Sequence, residues 1–241
     1  MNERKQGRRS AQDAEKTKCD ILRVATDLFC ELGYERVSLR NISDKAGVSH
    51  SLIRHHFGSK DKIWYAISDE LHQYMVSYMR TIIANIPDGA KANEKLYFFV
   101  VRLLAHMLVS KQPIQFIADA VRQEDALFDY FIDQSGEIES IVFAIADAYN
   151  EENPESPIKI WEIKWQMIMF AHGAASMTPF MQETWSDETR EYEQCLLKHW
   201  EMFNQMMVTR FNIDPSLVTI PKKVSDLVYD IPCEFHCDSS L

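Results

Sequence analysis

A chain of 241 residues, 46% hydrophobic and 26% charged, has room for one large or two modest domains and is too apolar to stay disordered. It contains no run of about 18 apolar residues, which argues against a membrane span, and the basic stretch Met1 to Ser10 lacks the apolar segment of a secretory signal. The net charge of −10 is unevenly divided: residues 1–64 hold 13 Lys or Arg against 9 Asp or Glu, whereas the remainder holds 13 against 27. That asymmetry suggests a small basic module joined to a larger acidic one.

In chain order, residues 1–15 are expected to form a flexible basic arm. Its Arg4, Lys5, Arg8 and Arg9 could enter a minor groove or could simply be a disordered terminus. Ile21, Val24, Ala25, Leu28, Phe29 and Leu32 then recur at three- and four-residue spacing, giving an amphipathic helix that stops near Gly33. Ser38 is placed to cap a second helix through Ala46, with Leu39 and Ile42 inward. Gly47 can adopt the left-handed conformation that ends it. Ser49 caps a short third helix through Phe57, and a long helix follows from Lys60 to about Ile86, where Pro87, Asp88 and Gly89 break the pattern.

Further helices are expected at 92–109, 113–122, 124–132, 136–151, 157–182 and 187–211, with Pro179 ending or kinking the fifth of these. No alternating pattern demands a strand, so the fold class is all-α. Residues 212–241 carry Pro215, Pro221 and Pro232 among many apolar side chains and are expected to pack on the body as an extension. The domain expectation is therefore an arm (1–15), a small helical module (16–60), a larger helical module (61–211) and that extension.

The third helix has a distinctive helical wheel. At about 100° per residue, Leu52, Ile53, His56 and Phe57 share one side, while His50, Ser51, Arg54 and His55 occupy the other. An apolar face that packs, set against a face made only of hydrogen-bonding groups, suits a helix lying in a DNA major groove.

Val37 to Ile42, Ala46 to Ser49 and His55 to Lys60, preceded by Leu28-Phe29 and Leu32-Gly33-Tyr34, closely resemble the signature of the tetracycline-repressor (TetR) family over about 50 residues, Lys16 to Ile67. The resemblance implies a homodimer whose N-terminal helix-turn-helix binds double-stranded DNA at a palindromic operator. A helical domain would bind a small-molecule effector, and the family usually represses transcription until that molecule binds. Carried over by position, Ser38 and Arg40 would meet DNA at the start of helix two. Ser49, His50, Ser51, Arg54 and His55 would line the recognition helix, and Lys60 would hold a phosphate. The family usually has Tyr where this chain has Arg54, which could grip a phosphate or reach a guanine edge.

Beyond the resemblance, aromatic and sulfur side chains suggest an effector cavity: Tyr97, Phe98, Arg102, His106, Phe116, Trp161, Trp165, Met169, His172, Met177 and Phe180. Plain core packing explains the same pattern. Asp119, Glu124 and Asp125 could balance a cationic ligand if buried. In the family the last two long helices form the dimer bundle. Here that would use Gly173 and Ala174 with Leu196, Trp200, Phe203 and Met207.

No cofactor and no metal site is expected. His50, His55 and His56 point around the helix rather than together, and Cys233, His236 and Cys237 lack a partner pair. The five scattered cysteines suit a reducing cytoplasm better than a disulfide framework. No phosphate loop, nucleophile elbow or His-Glu-x-x-His helix marks an enzyme. The alternative is a helical small-molecule-binding or catalytic protein whose helix-turn-helix no longer reads DNA.

Overall fold

The structure, a computed structural model, describes residues 3–122, 127, 129–130 and 136–231. Among the described residues it contains ten α-helices, two short 3-10 helices and no strand. The helices are α1 (Glu3–Leu32), α2 (Leu39–Ala46), α3 (His50–His56), α4 (Lys60–Ala84), α5 (Ala92–Val109), α6 (Gln112–Ala120), α7 (Gly136–Glu152), α8 (Ile160–Ser176), α9 (Thr178–Thr184) and α10 (Tyr192–Arg210). The all-α expectation holds. No helix of the described residues is long and apolar enough to cross a membrane.

Two expectations about elements need correction. Residues 3–15, read as a flexible arm, belong to the 30-residue helix α1, because nothing between Glu3 and Leu32 breaks it before Gly33. The single helix expected at 157–182 is two. Met177 leaves helical geometry (φ −121°, ψ 34°), and Pro179, which has no N–H to donate, lies in the first turn of α9. Of the helix expected at 124–132, residues 127, 129 and 130 are described and are helical, while the acidic pair Glu124 and Asp125 lies outside the described residues.

The chain divides into two compact units, with boundaries different from the expected 60/61 and 211/212. One gathers the described residues of 1–74 and 119–134, the other those of 75–118 and 135–231. In the first, Ile21, Leu22, Ala25 and Phe29 of α1 share a core with Ile42 of α2, Ile53 of α3 and Ile63, Trp64 and Ile67 of α4, all essentially inaccessible to solvent. Leu32, expected on that face, is instead 46% exposed at the helix end. Tyr65 stacks on Tyr130, whose hydroxyl donates to Asp69 at 2.7 Å.

The second unit is built around α5, which buries Leu96, Tyr97, Val100, Val101, Leu104, Ala105 and His106 around most of its circumference. A helix apolar on several sides needs cover on several sides, and α7, α8 and α10 pack against it. Trp200 of α10 is fully buried and donates its indole N–H to the Val101 carbonyl at 2.9 Å.

Residues 213–231 contribute side chains to this unit. Val224 and Leu227 are buried, and the Asn204 side chain donates to the Thr219 carbonyl at 3.1 Å. Residues 232–241, including Cys233, His236 and Cys237, lie outside the described residues. Cys19 is disulfide-bonded, contrary to the expectation of reduced cysteines, since spacing along the chain does not reveal which thiols meet.

A candidate nucleic-acid interface

Helices α2 and α3 are held by caps that the sequence encodes. Ser38 has extended backbone (φ −111°, ψ 159°), and its Oγ accepts the Asn41 N–H at 3.2 Å. The Asn41 side-chain oxygen accepts the Ser38 N–H at 2.9 Å, closing a reciprocal box. Gly47 ends α2 at φ 67°, ψ 27°, where an L side chain would be strained. Ser49 then caps α3 by accepting the Leu52 N–H at 3.2 Å. The turn between the helices is thus set by Gly47, which ends α2, and Ser49, which opens α3.

These caps fix how α3 is turned. Ile53 and Phe57 are buried, Leu52 and His56 are half-buried, and α3 packs on α2. Ser49, His50, Ser51, Arg54 and His55 are all exposed, so the two faces fall as the helical wheel divides them. Ser38 and Arg40 are exposed at the start of α2. Arg40 is 3.8 Å from Asp44, and Lys45 is 3.8 Å from Glu31. Solvated pairs of this kind are worth only about 0–1 kcal/mol. Arg40 can therefore leave Asp44 for a phosphate at little cost.

Lys60 is more constrained. Its Nζ donates to the Tyr34 carbonyl at 3.0 Å and lies 3.8 Å from the centroid of the Tyr34 ring. The Tyr34 hydroxyl donates to Asp61. Burial first, and then Asp61, hold that phenol well above the usual tyrosine range, so it stays protonated. The Tyr34 N–H is accepted by Asp119 at 2.6 Å. Asp61 and Asp119 thus hold Tyr34, against which Lys60 rests. Of these, Asp119 is 85 residues from Tyr34 in the chain, a separation that local spacing cannot bridge.

The expected effector residues do not converge on one cavity. Tyr97 is core: its hydroxyl donates to Asn204 at 2.8 Å and accepts the Thr219 N–H at 2.9 Å, and half-buried Phe98 packs beside it. Arg102 donates to the Leu227 carbonyl at 3.1 Å and stacks on Tyr229. His106 is buried against the Tyr78 ring, centroids 3.9 Å apart, and burial lowers its pKa to about 4. Phe116 is also buried. Trp161, Trp165, Met169 and Met177 are each more than half exposed, and Phe180 is 77% exposed. His172 is half-buried, 3.3 Å from the Ser176 hydroxyl. Asp119, offered as a possible partner for a cationic ligand, instead binds the Tyr34 turn.

The expected dimer residues need the converse correction. Ala174, Leu196, Trp200, Phe203 and Met207 are buried within the single chain, and Gly173 is half-buried. Helical periodicity identified the apolar faces of α8 and α10 but could not say which face meets the chain's own core.

Residues 21–67 match the family model described as bacterial regulatory proteins, tetR family. Over 51 residues the chain is 45% identical to the HTH-type transcriptional repressor Rv3405c of Mycobacterium tuberculosis, covering 21% of this chain and 27% of that protein. The chain thus spans about a quarter of the length of this curated relative. A regulatory protein in the tetR family from Rhodococcus RHA1 shares its fold, with a TM-score of 0.60 at 16% identity over 80% of this chain and 97% of that one. So does AibR, solved in complex with isovaleryl coenzyme A and operator DNA. Its TM-score is 0.55 at 15% identity, over 77% of this chain and 97% of that one.

Proposed function

We propose, on the premise that this chain belongs to the TetR family through its N-terminal domain, that it is a DNA-binding transcriptional regulator. The observation that carries this reading is α3, capped at Ser49, with Ile53 and Phe57 buried beneath an outer face of Ser49, His50, Ser51, Arg54 and His55. In the major groove this face would read base edges, with Arg54 either on a guanine or on a phosphate. Ser38, Arg40 and Lys60 would hold the flanking backbone. Lys60 is already oriented by Tyr34, so less side-chain entropy is lost on contact.

A homodimer on a palindromic operator completes the proposal. Its support is an exposed apolar face: Trp161, Trp165 and Met169 at one-turn intervals on α8, Phe180 on α9, and Met202 and Met206 on α10, each between 38% and 77% exposed. A second copy covering that face would remove the largest aromatic groups from water and place two reading helices in related half-sites. A small-molecule effector would act by binding the DNA-bound and free conformations with different affinities. AibR, with both coenzyme A thioester and operator, supports that division of labour. Repression, relieved by the effector in the cytoplasm, is the sign we assign.

Fluorescence anisotropy on palindromic DNA from upstream of the coding region, across a salt series, tests the proposal. Log affinity should fall linearly with log salt. Lys60→Ala should weaken binding to all sequences and flatten the slope by about one unit. An unchanged slope would remove Lys60 from the phosphate contacts.

A further inference from the structure

A groove of about 450 Å³ runs between the end of α4, the start of α5 and one side of α7. That volume falls within the range of small-molecule sites, roughly 300–1,000 Å³. Its wall is Ile141, Ala144, Ile145 and Ala148, an i, i+3, i+4, i+7 stripe on α7, and its other side includes Ile83 and Ile86. Helix α7 already commits Ala146 and Tyr149 to the core, so this stripe is a second apolar face. The two alanines make the wall concave, where large side chains would fill it.

The groove has one charged residue in its lining, Lys95, with the Ser140 hydroxyl as a further polar group. Lys95 lies one turn beyond Ala92 on α5 and makes no ion pair among the described residues. Two carboxylates at the start of α5 accept backbone N–H groups. Glu94 accepts the Lys91 N–H at 3.1 Å, and Glu152 accepts the Ala92 N–H at 3.3 Å. An apolar groove with a single cation in its lining complements a molecule that is a hydrocarbon chain ending in an anion.

The geometry points to a binding site for a free long-chain carboxylate, its chain along the α7 stripe and its carboxylate on Lys95. This deepens the regulator reading by naming an effector class, and it rests on that reading only for its regulatory meaning. A second copy of the chain is a poorer occupant, because the large exposed aromatic side chains suited to such a contact, Trp161, Trp165 and Phe180, are not in the groove lining. Covering the stripe with a hydrocarbon chain removes apolar surface from water, while Lys95 adds a charge-assisted hydrogen bond.

The test is isothermal titration of the full chain with dodecanoate below its micelle concentration, with dodecyltrimethylammonium as the cationic counterpart. Dodecanoate should bind at one site per chain and the ammonium should not. Lys95→Gln should weaken dodecanoate about tenfold. Ala144→Trp, which fills the groove from an exposed position, should abolish binding while leaving the circular dichroism spectrum unchanged. Ala148→Phe gives a second filled groove should the first variant misfold. No binding by the unmodified chain, equal binding of the ammonium, full affinity in a folded groove-filled variant, or an unaffected Lys95→Gln would each overturn the site. Operator binding measured on the same protein without dodecanoate reports on the regulator reading alone, so the two failures are distinguishable.

Discussion

His106 gives the second unit a built-in acid sensitivity that can be calculated and measured. The imidazole is fully buried beside Tyr78, and burial lowers its pKa from 6.5 to about 4. The unfolded chain therefore takes up this proton near pH 6.5, while the folded chain refuses it until about pH 4. Stability from this group is complete above pH 6.5 and is lost as pH falls toward 4. The loss is about 2 kcal/mol by pH 5 and about 3 kcal/mol at its limit. His106→Phe keeps a ring against Tyr78 and removes the titration. Urea midpoints at pH 7.5, 6.5 and 5 should converge or cross, the variant losing about 2 kcal/mol less than the parent over that interval. A constant difference between the two proteins at all three pH values would refute the neutral, buried imidazole.

Gly33→Ala should destabilise the first unit by about 2 kcal/mol, read as a lowered thermal midpoint. The glycine sits at φ 81°, and a Cβ there would lie 2.8 Å from Asp119 Oδ1, disturbing the carboxylate that holds the Tyr34 N–H. Ser38→Ala removes one half of the α2 capping box and should cost about 1 kcal/mol in urea denaturation, with Ser38→Gly costing less. Trp161→Glu with Trp165→Glu places two charges on the exposed α8 face and should convert a dimer to monomer in analytical ultracentrifugation. An unaltered sedimentation coefficient for that double variant would place the dimer contact on another surface.

The helix-turn-helix was legible in the sequence because its determinants are local. Ser38 with Asn41, Gly47, and Ser49 with Leu52 lie within a few residues of one another, and the phase of Ile53 and Phe57 fixes the exposed side of α3. The second unit was less legible because an apolar stripe does not identify its partner. Trp200 and Trp165 both occur at helical spacing, yet the first is buried on Val101 and the second is 62% exposed. Tyr97 and Arg102, read as cavity groups, meet Thr219, Leu227 and Tyr229 more than a hundred residues away. Apolar content alone indicated that the extension would pack, but it could not specify that register. The α7 groove was missed because Ala144 and Ala148 carry little hydrophobic weight individually.

The central claim is that α3 and its flanks read DNA, and replacing Arg54, His55 and Lys60 together by Ala tests it most directly. Arg54 and His55 are exposed, so the triple variant should remain folded by circular dichroism. The account predicts loss of specific operator affinity by at least about 100-fold at fixed salt, about 3 kcal/mol or more. A folded triple variant that binds the operator as tightly as the parent would contradict it.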